Sequence, residues 1–244
     1  MKNLLFLIFI SLMVGSCGST TFLEDVGKVL DDVANGQSDV LSNKQIGDGL
    51  KEALVQGITK GAGQVSKTDG YFKNPTIKIP WPKDVQKVEK TLRDIGLGGQ
   101  VDKVVLNLNR AAEDAAMKAK PIFIGAIKQL TFQDVMSILK GDDNAATNFL
   151  RRTTSNELRG EFSPVIQKSL DKMDATKHWG TAINSYNKIP MVKDVNPDLN
   201  GYVTEKAMEG LFFMIEKEEK KIRKDPVART TDLLKKVFKL QDSK

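Results

Sequence analysis

From Ser42 to Phe238 the apolar residues recur at spacings of three and four, the period of a helix that buries one face. Ser42 with Gln45 fits a capping box for a helix running to about Ser66, with Ile46, Leu50, Leu54 and Ile58 in its stripe. Pro82 suits the first turn of a second helix, with Val85, Val88, Leu92 and Ile95 facing inward and Gly96 ending it. Further helices are expected over Val101 to Lys118, Pro121 to Leu130 and Phe132 to Lys140, the last capped by Thr131. Gly141-Asp142-Asp143 opens a helix through Leu158, and Ser163-Pro164 the next. After one long loop, roughly 188–200, Thr204 with Glu205 opens a helix to Lys224, and Asp225-Pro226 starts the last, to Phe238. The expected class is all-α: a compact single-domain array of roughly nine short helices.

One stretch breaks the period. Residues 67–82, KTDGYFKNPTIKIPWP, carry the turn signals Asp69-Gly70 and Asn74-Pro75, then Ile77, Ile79 and Trp81 alternating with Thr76, Lys78 and Pro80. The run is short and flanked by proline, and no partner strand is in sight. It is expected to be an extended strap lying across helices, with Trp81 packed beneath it.

The N-terminus points to a compartment. Lys2 precedes an uncharged run from Leu4 to Val14, long enough for a secretory h-region and too short to span a bilayer. Val14-Gly15-Ser16-Cys17 follows, similar to the lipobox of bacterial lipoproteins: an aliphatic residue, two small residues and the cysteine whose thiol takes the diacylglyceryl group. An ordinary signal peptide with a coincidental cysteine is the alternative, but the chain's only cysteine stands at the required position. The expectation is a signal peptide over 1–16, a lipid-anchored tether over 17–41 with a short amphipathic piece from Phe22 to Ala34, and a helical domain over 42–240. Two or three acyl chains anchor firmly, each buried CH₂ contributing about 0.8 kcal/mol. Residue 18 is Gly; by resemblance to lipoprotein sorting signals, in which Asp at this place retains the protein at the inner membrane, it implies the outer membrane, facing the periplasm.

Charge and residue types then limit the chemistry. One of the 37 basic residues and none of the 31 acidic ones lies in residues 1–16, so the mature chain carries 36 against 31, or +5. The excess is spread out with little aromatic interleaving, which argues against a nucleic-acid surface. Acylated Cys17 leaves no thiolate ligand, and the single histidine, His178, excludes a multi-histidine zinc site; no metal or cofactor is expected. A serine triad would have to use His178, which reads more simply as a surface or packing residue. None of the GxGxxG, P-loop, GxSxG or HExxH patterns is present.

Two polar constellations remain. Asp143, Thr147 and Arg151 recur at i, i+4 and i+8 with Arg152 adjacent, and Arg110 precedes Glu113 and Asp114 on another helix. They read either as caps and dipole partners at helix ends, as an internal ion network between helices, or as an anion or partner site built on arginines. The run from Glu216 to Lys221, with the pairs Glu216–Lys220 and Glu219–Arg223, reads as a solvated charged face over a stripe of Met208, Leu211, Phe212, Ile215 and Ile222. Phe213 and Met214 fall outside that stripe, as on a helix buried on two sides or touching a partner.

KTDGYFKNPTIKIPWP, NRAAEDAA, GDDNAATNFLRRTT and YVTEKAMEGLFFMIEKEEKKIRKDP resemble, in order, blocks of the DUF4197 family. The resemblance covers roughly Gln45 to Phe238. It implies an all-helical envelope protein that commonly carries a lipoprotein signal, and it carries no activity, ligand or catalytic residue. Trp81 departs from it, standing where the family has a smaller apolar residue. The functional expectation is a non-enzymatic lipoprotein module binding an envelope protein, lipid or cell-wall polymer. The rivals are a hydrolase or transferase using Asp143, Arg151, Arg110 and Glu113, and a structural envelope lipoprotein.

Overall fold

The computed structural model describes residues 41–172 and 198–242 and, between them, Trp179, Asn184, Asn187, Lys188 and Asn196. Cys17, the amphipathic piece from Phe22 to Ala34, His178 and most of the expected loop at 188–200 lie outside the described residues. Eight α-helices occur among the described residues: α1 Asn43–Val65, α2 Gln86–Asp94, α3 Gly98–Ala116, α4 Ala119–Lys128, α5 Phe132–Lys140, α6 Ala145–Asp171, α7 Leu199–Lys224 and α8 Asp232–Asp242. Short 3-10 turns at Lys83–Val85 and Pro226–Ala228 lead into α2 and follow α7. The protein is all-α, and no strand occurs among the described residues.

The helices are not uniformly short: α6 has 27 residues and α7 has 26. Pro164 was expected to begin a helix and instead lies inside α6. A proline in a helix interior removes a backbone bond and costs about 3 kcal/mol. Here Leu158, Phe162, Ile166 and Leu170 are all fully buried, one unbroken stripe across the proline, and four such side chains contribute more than the lost bond. The start of α7 also differs, falling at Leu199 rather than Thr204. Asp198 accepts from Gly201 N at 2.8 Å, and Asn196 Oδ1 accepts from Asp198 N at 2.9 Å, so Asp198 is the cap. Thr131 does cap α5, in a reciprocal box with Asp134.

Of the four residues expected to face inward around α2, only Val85 is buried, and Ile95 is 66% exposed. Gly96 (φ +84°) ends the helix, with Leu97 N donating to Leu92 O and Gly96 N to Arg93 O. This is a Schellman closure. Ile95 is already off helical geometry there (φ −91°, ψ 14°), so the 3.6-residue period no longer sets its direction.

The core is built around α7, whose largest contacts are with α1 and α6; α3 packs on both α6 and α7, and α8 packs on α1. Ala207, Leu211 and Phe212 are fully buried and Met208, Met214 and Ile215 nearly so, which puts α7 in the core on more than one side. Where α1 crosses it, a Cβ on Gly61 would stand 3.1 Å from Met214 O. No helix among the described residues is long and apolar enough to cross a membrane.

Candidate functional site

The strap over 67–82 is held by side chains reaching out of helices. Tyr71 is fully buried, and its hydroxyl donates to Ala207 O on α7 at 2.6 Å. Burial and the neighbouring Glu113 raise the phenol's pKa, so the hydroxyl stays a donor. Glu113, 4% exposed on α3, accepts from the backbone N–H groups of Tyr71 (3.1 Å) and Phe72 (3.2 Å). Its other oxygen takes Arg110 Nη1 at 2.6 Å. Arg110 also donates to Asp69 at 2.6 Å, and Asp69 pairs with Lys73 at 2.8 Å. These cations hold the Asp69 carboxyl below its ordinary range, Lys73 first and then Arg110.

Asp69 is the described non-glycine residue with positive φ (68°), a conformation Asp tolerates better than most side chains. The next residue must be glycine for a second reason: a Cβ on Gly70 would lie 2.5 Å from Gln64 O and 2.7 Å from Val65 O, at the end of α1. Farther along, Asn109 grips Ile79 on both sides, accepting from Ile79 N and donating to Ile79 O, each at 2.8 Å. The side-chain amide supplies the bonds a neighbouring strand would have made. Trp81 is 7% exposed and lies against Trp179, ring centroids 5.4 Å apart. Trp81 is buried beneath the strap as its sequence predicts, but the strap is not extended throughout. Residues 67–77 coil through successive turns closed by Gly70 N to Lys67 O, Lys73 N to Asp69 O and Lys78 N to Asn74 O, and only 78–82 carry no turn.

Between the outer side of the strap and the N-terminal half of α7 runs an open groove of about 690 Å³. Its apolar wall is Ile77, Pro80, Pro82 and Phe213, and Phe213 is 44% exposed. Lys78, Lys83 and Lys206 supply cations and Glu209 the acid. Glu209 is taken by Lys206. Lys78 Nζ lies 4.4 Å above the Phe72 ring. Neither Lys78 nor Lys83 has a carboxylate partner among the described residues. Tyr202 spans the groove floor, donating to Pro80 O at 3.0 Å, and burial pushes its pKa up to about 12. Sequence reasoning placed the strap but missed the groove, because the residues facing the strap across it lie more than 100 positions away on α7.

The polar stripe on α6 does not assemble. Asp143 precedes the first residue of α6 and so is not in helical register with Thr147 and Arg151. It pairs with Lys224, which holds its carboxyl below the ordinary range. Arg151 is exposed and stacks on Phe212, its guanidinium carbon 4.4 Å from the ring centroid. Arg152 stands over Phe149 at 5.6 Å. Thr147 is fully buried, but its partner is Glu219: Thr147 Oγ1 and N donate to Glu219 at 2.7 and 2.8 Å, and Ala146 N at 2.9 Å. An internal network joining Asp143, Arg151 and Arg110 is thus not what the fold builds. Arg151→Ala is accordingly expected to cost below about 1 kcal/mol, the scale of an exposed cation–π contact. Thermal melts of the variant check this; a loss of several kcal/mol would mean that Arg151 is a buried partner after all.

Glu219 and Arg223 do form their i,i+4 pair, at 2.9 Å, but not on a solvated face: both are under 10% exposed. The pair lies where the N-terminus of α6 meets the C-terminus of α5. Glu219 takes the orphan N–H groups of α6, and Arg223 donates to Ile138 O at 2.8 Å and Leu139 O at 3.4 Å at the end of α5. Glu216–Lys220 is solvent-exposed as expected. Among the described residues no group of three or more His, Cys, Asp or Glu is placed to hold a metal ion.

A family model described as "Protein of unknown function (DUF4197)" matches residues 40–239. The chain belongs to the DUF4197 family. The match begins just before α1 and ends within α8, so strap, groove and the Glu219–Arg223 pair all belong to the DUF4197 domain. No curated protein and no solved structure gives a significant match.

Proposed function

We propose that the protein is an anchored binding module of the cell envelope. Cys17 carries the acyl chains, on the outer membrane facing the periplasm, and the DUF4197 domain offers the strap groove to a partner. The observation that carries the binding reading is the groove itself, where exposed Phe213 meets Lys78 and Lys83, which have no carboxylate partner among the described residues. Pockets that bind are concave, largely apolar and furnished with a few polar groups. The charged side chains that could serve a hydrolase are instead consumed by the fold: Glu113 and Arg110 by the strap, Asp143 by Lys224, Glu219 by the start of α6. The anchoring reading is supported by Val14-Gly15-Ser16-Cys17 after an uncharged run.

Cys17→Ser is expected to leave an uncleaved or soluble form, and mass spectrometry of the wild-type mature N-terminus should show acylated Cys17. An unmodified peptide beginning at another residue would sink the anchoring. For binding, a photo-crosslinking residue at position 213 in living cells should trap a defined partner that the same residue at exposed Lys217 does not.

A further inference from the structure

The kind of partner follows from the two walls of the groove, given the binding reading above. The strap wall has almost no backbone to offer. Pro80 and Pro82 lack N–H groups, Ile79 has both its backbone groups bound to Asn109, Lys78 N donates to Asn74 O, and Pro80 O is taken by Tyr202. Addition of a strand to this edge needs a row of free donors and acceptors, so recognition must go through side chains. Those side chains combine positive charge at Lys78 and Lys83, unpaired with any carboxylate among the described residues, with an apolar ledge at Phe213. Residues 78–82 carry no helix or turn along the groove, and five residues span at most about 17 Å at roughly 3.3 Å per residue, which bounds the segment the groove can hold at about five residues.

We infer that the groove takes a short, extended acidic peptide segment of a partner protein, its carboxylates meeting Lys78 and Lys83 and one bulky apolar side chain resting on Phe213. Opposite charges across an open groove steer the encounter and fix the register, and the apolar contact supplies the desolvated centre.

The test uses the detergent-solubilised full chain on an array of hexapeptides varied over all residue types at each position. The best binder is then measured by fluorescence anisotropy. Wild type is expected to select peptides with two or more Asp or Glu and one large apolar residue, with affinity falling as salt rises. Lys78→Gln with Lys83→Gln should weaken the best peptide about tenfold, and Phe213→Ala should abolish the apolar preference. Lys217→Gln, which removes an exposed charge elsewhere on α7, should change little. Circular dichroism melts confirm that each variant is folded. No acidic preference, or one that the double variant keeps, overturns the inference. So does tight binding of phosphatidylglycerol vesicles, lost in the double variant, with no peptide selected; that result assigns the groove to lipid. If position 213 traps a protein in cells while the array shows no acidic preference, the binding module stands and the acidic occupant falls. If neither binds, both fall.

Discussion

Glu219→Ala is expected to destabilise the domain by about 3–5 kcal/mol, the usual consequence of removing one member of a buried ion pair. Glu219 is 8% exposed and Arg223 4%, so the variant leaves a guanidinium inside the protein with its main counter-charge gone. It also strips Ala146 N and Thr147 N of their acceptor, and an orphaned buried donor costs about 1–3 kcal/mol. For a domain of about 200 residues the fall in melting temperature should be on the order of 10 °C. Replacing the pair together, Glu219→Leu with Arg223→Met, should recover part of the loss. Recovery is incomplete because Arg223 also binds the last carbonyls of α5 and Gln241 of α8. Urea unfolding of the two singles and the double measures all three; a loss below about 1 kcal/mol for Glu219→Ala would mean that water reaches the pair.

Trp81→Ala is expected to cost about 3–5 kcal/mol, as for other large aromatic side chains removed from a core. The ring is 7% exposed and packs on Trp179. Its indole N–H has no hydrogen-bond partner among the described residues, and neither has that of Trp179. Trp81→Phe therefore removes an unsatisfied donor along with some apolar area, and should stay within about 1.5 kcal/mol of wild type. Chemical unfolding followed by circular dichroism separates the two variants. Equal losses in both would show that the indole nitrogen is satisfied in solution.

The helices and the place of the strap were legible because each rests on a local pattern: a stripe at three and four for α1 or α5, and turn signals with alternation for 67–82, where the turns won over the extended course from 67 to 77. What was not legible depends on residues far apart in the chain. Glu219 and Arg223 read as one more solvated i,i+4 pair, since nothing near them in sequence shows that the start of α6, more than 70 positions earlier, uses Glu219 as its cap. Pro164 read as a helix start because the local preference is genuine, and the packing of Phe162 and Ile166 overrides it. Arg110 and Glu113 were marked as a polar pair on one helix, and that pair exists. Its role in pinning Tyr71 and Phe72 could not be read, because the acceptor and the N–H groups it binds lie about 40 residues apart. The groove is hidden for the same reason.

The central position of α7 has a kinetic consequence. Its largest contacts are with α1, which precedes it by well over 100 residues, and with α6. Closing loops of that size comes before the contacts that reward it, which slows folding. A chain emerging from its N-terminus cannot complete the core until Leu199 to Lys224 has appeared, and α8, which covers α1, comes later still. The packing of α3 on α6 and of α4 on α1 can form earlier, but the core they share closes only when synthesis is almost finished.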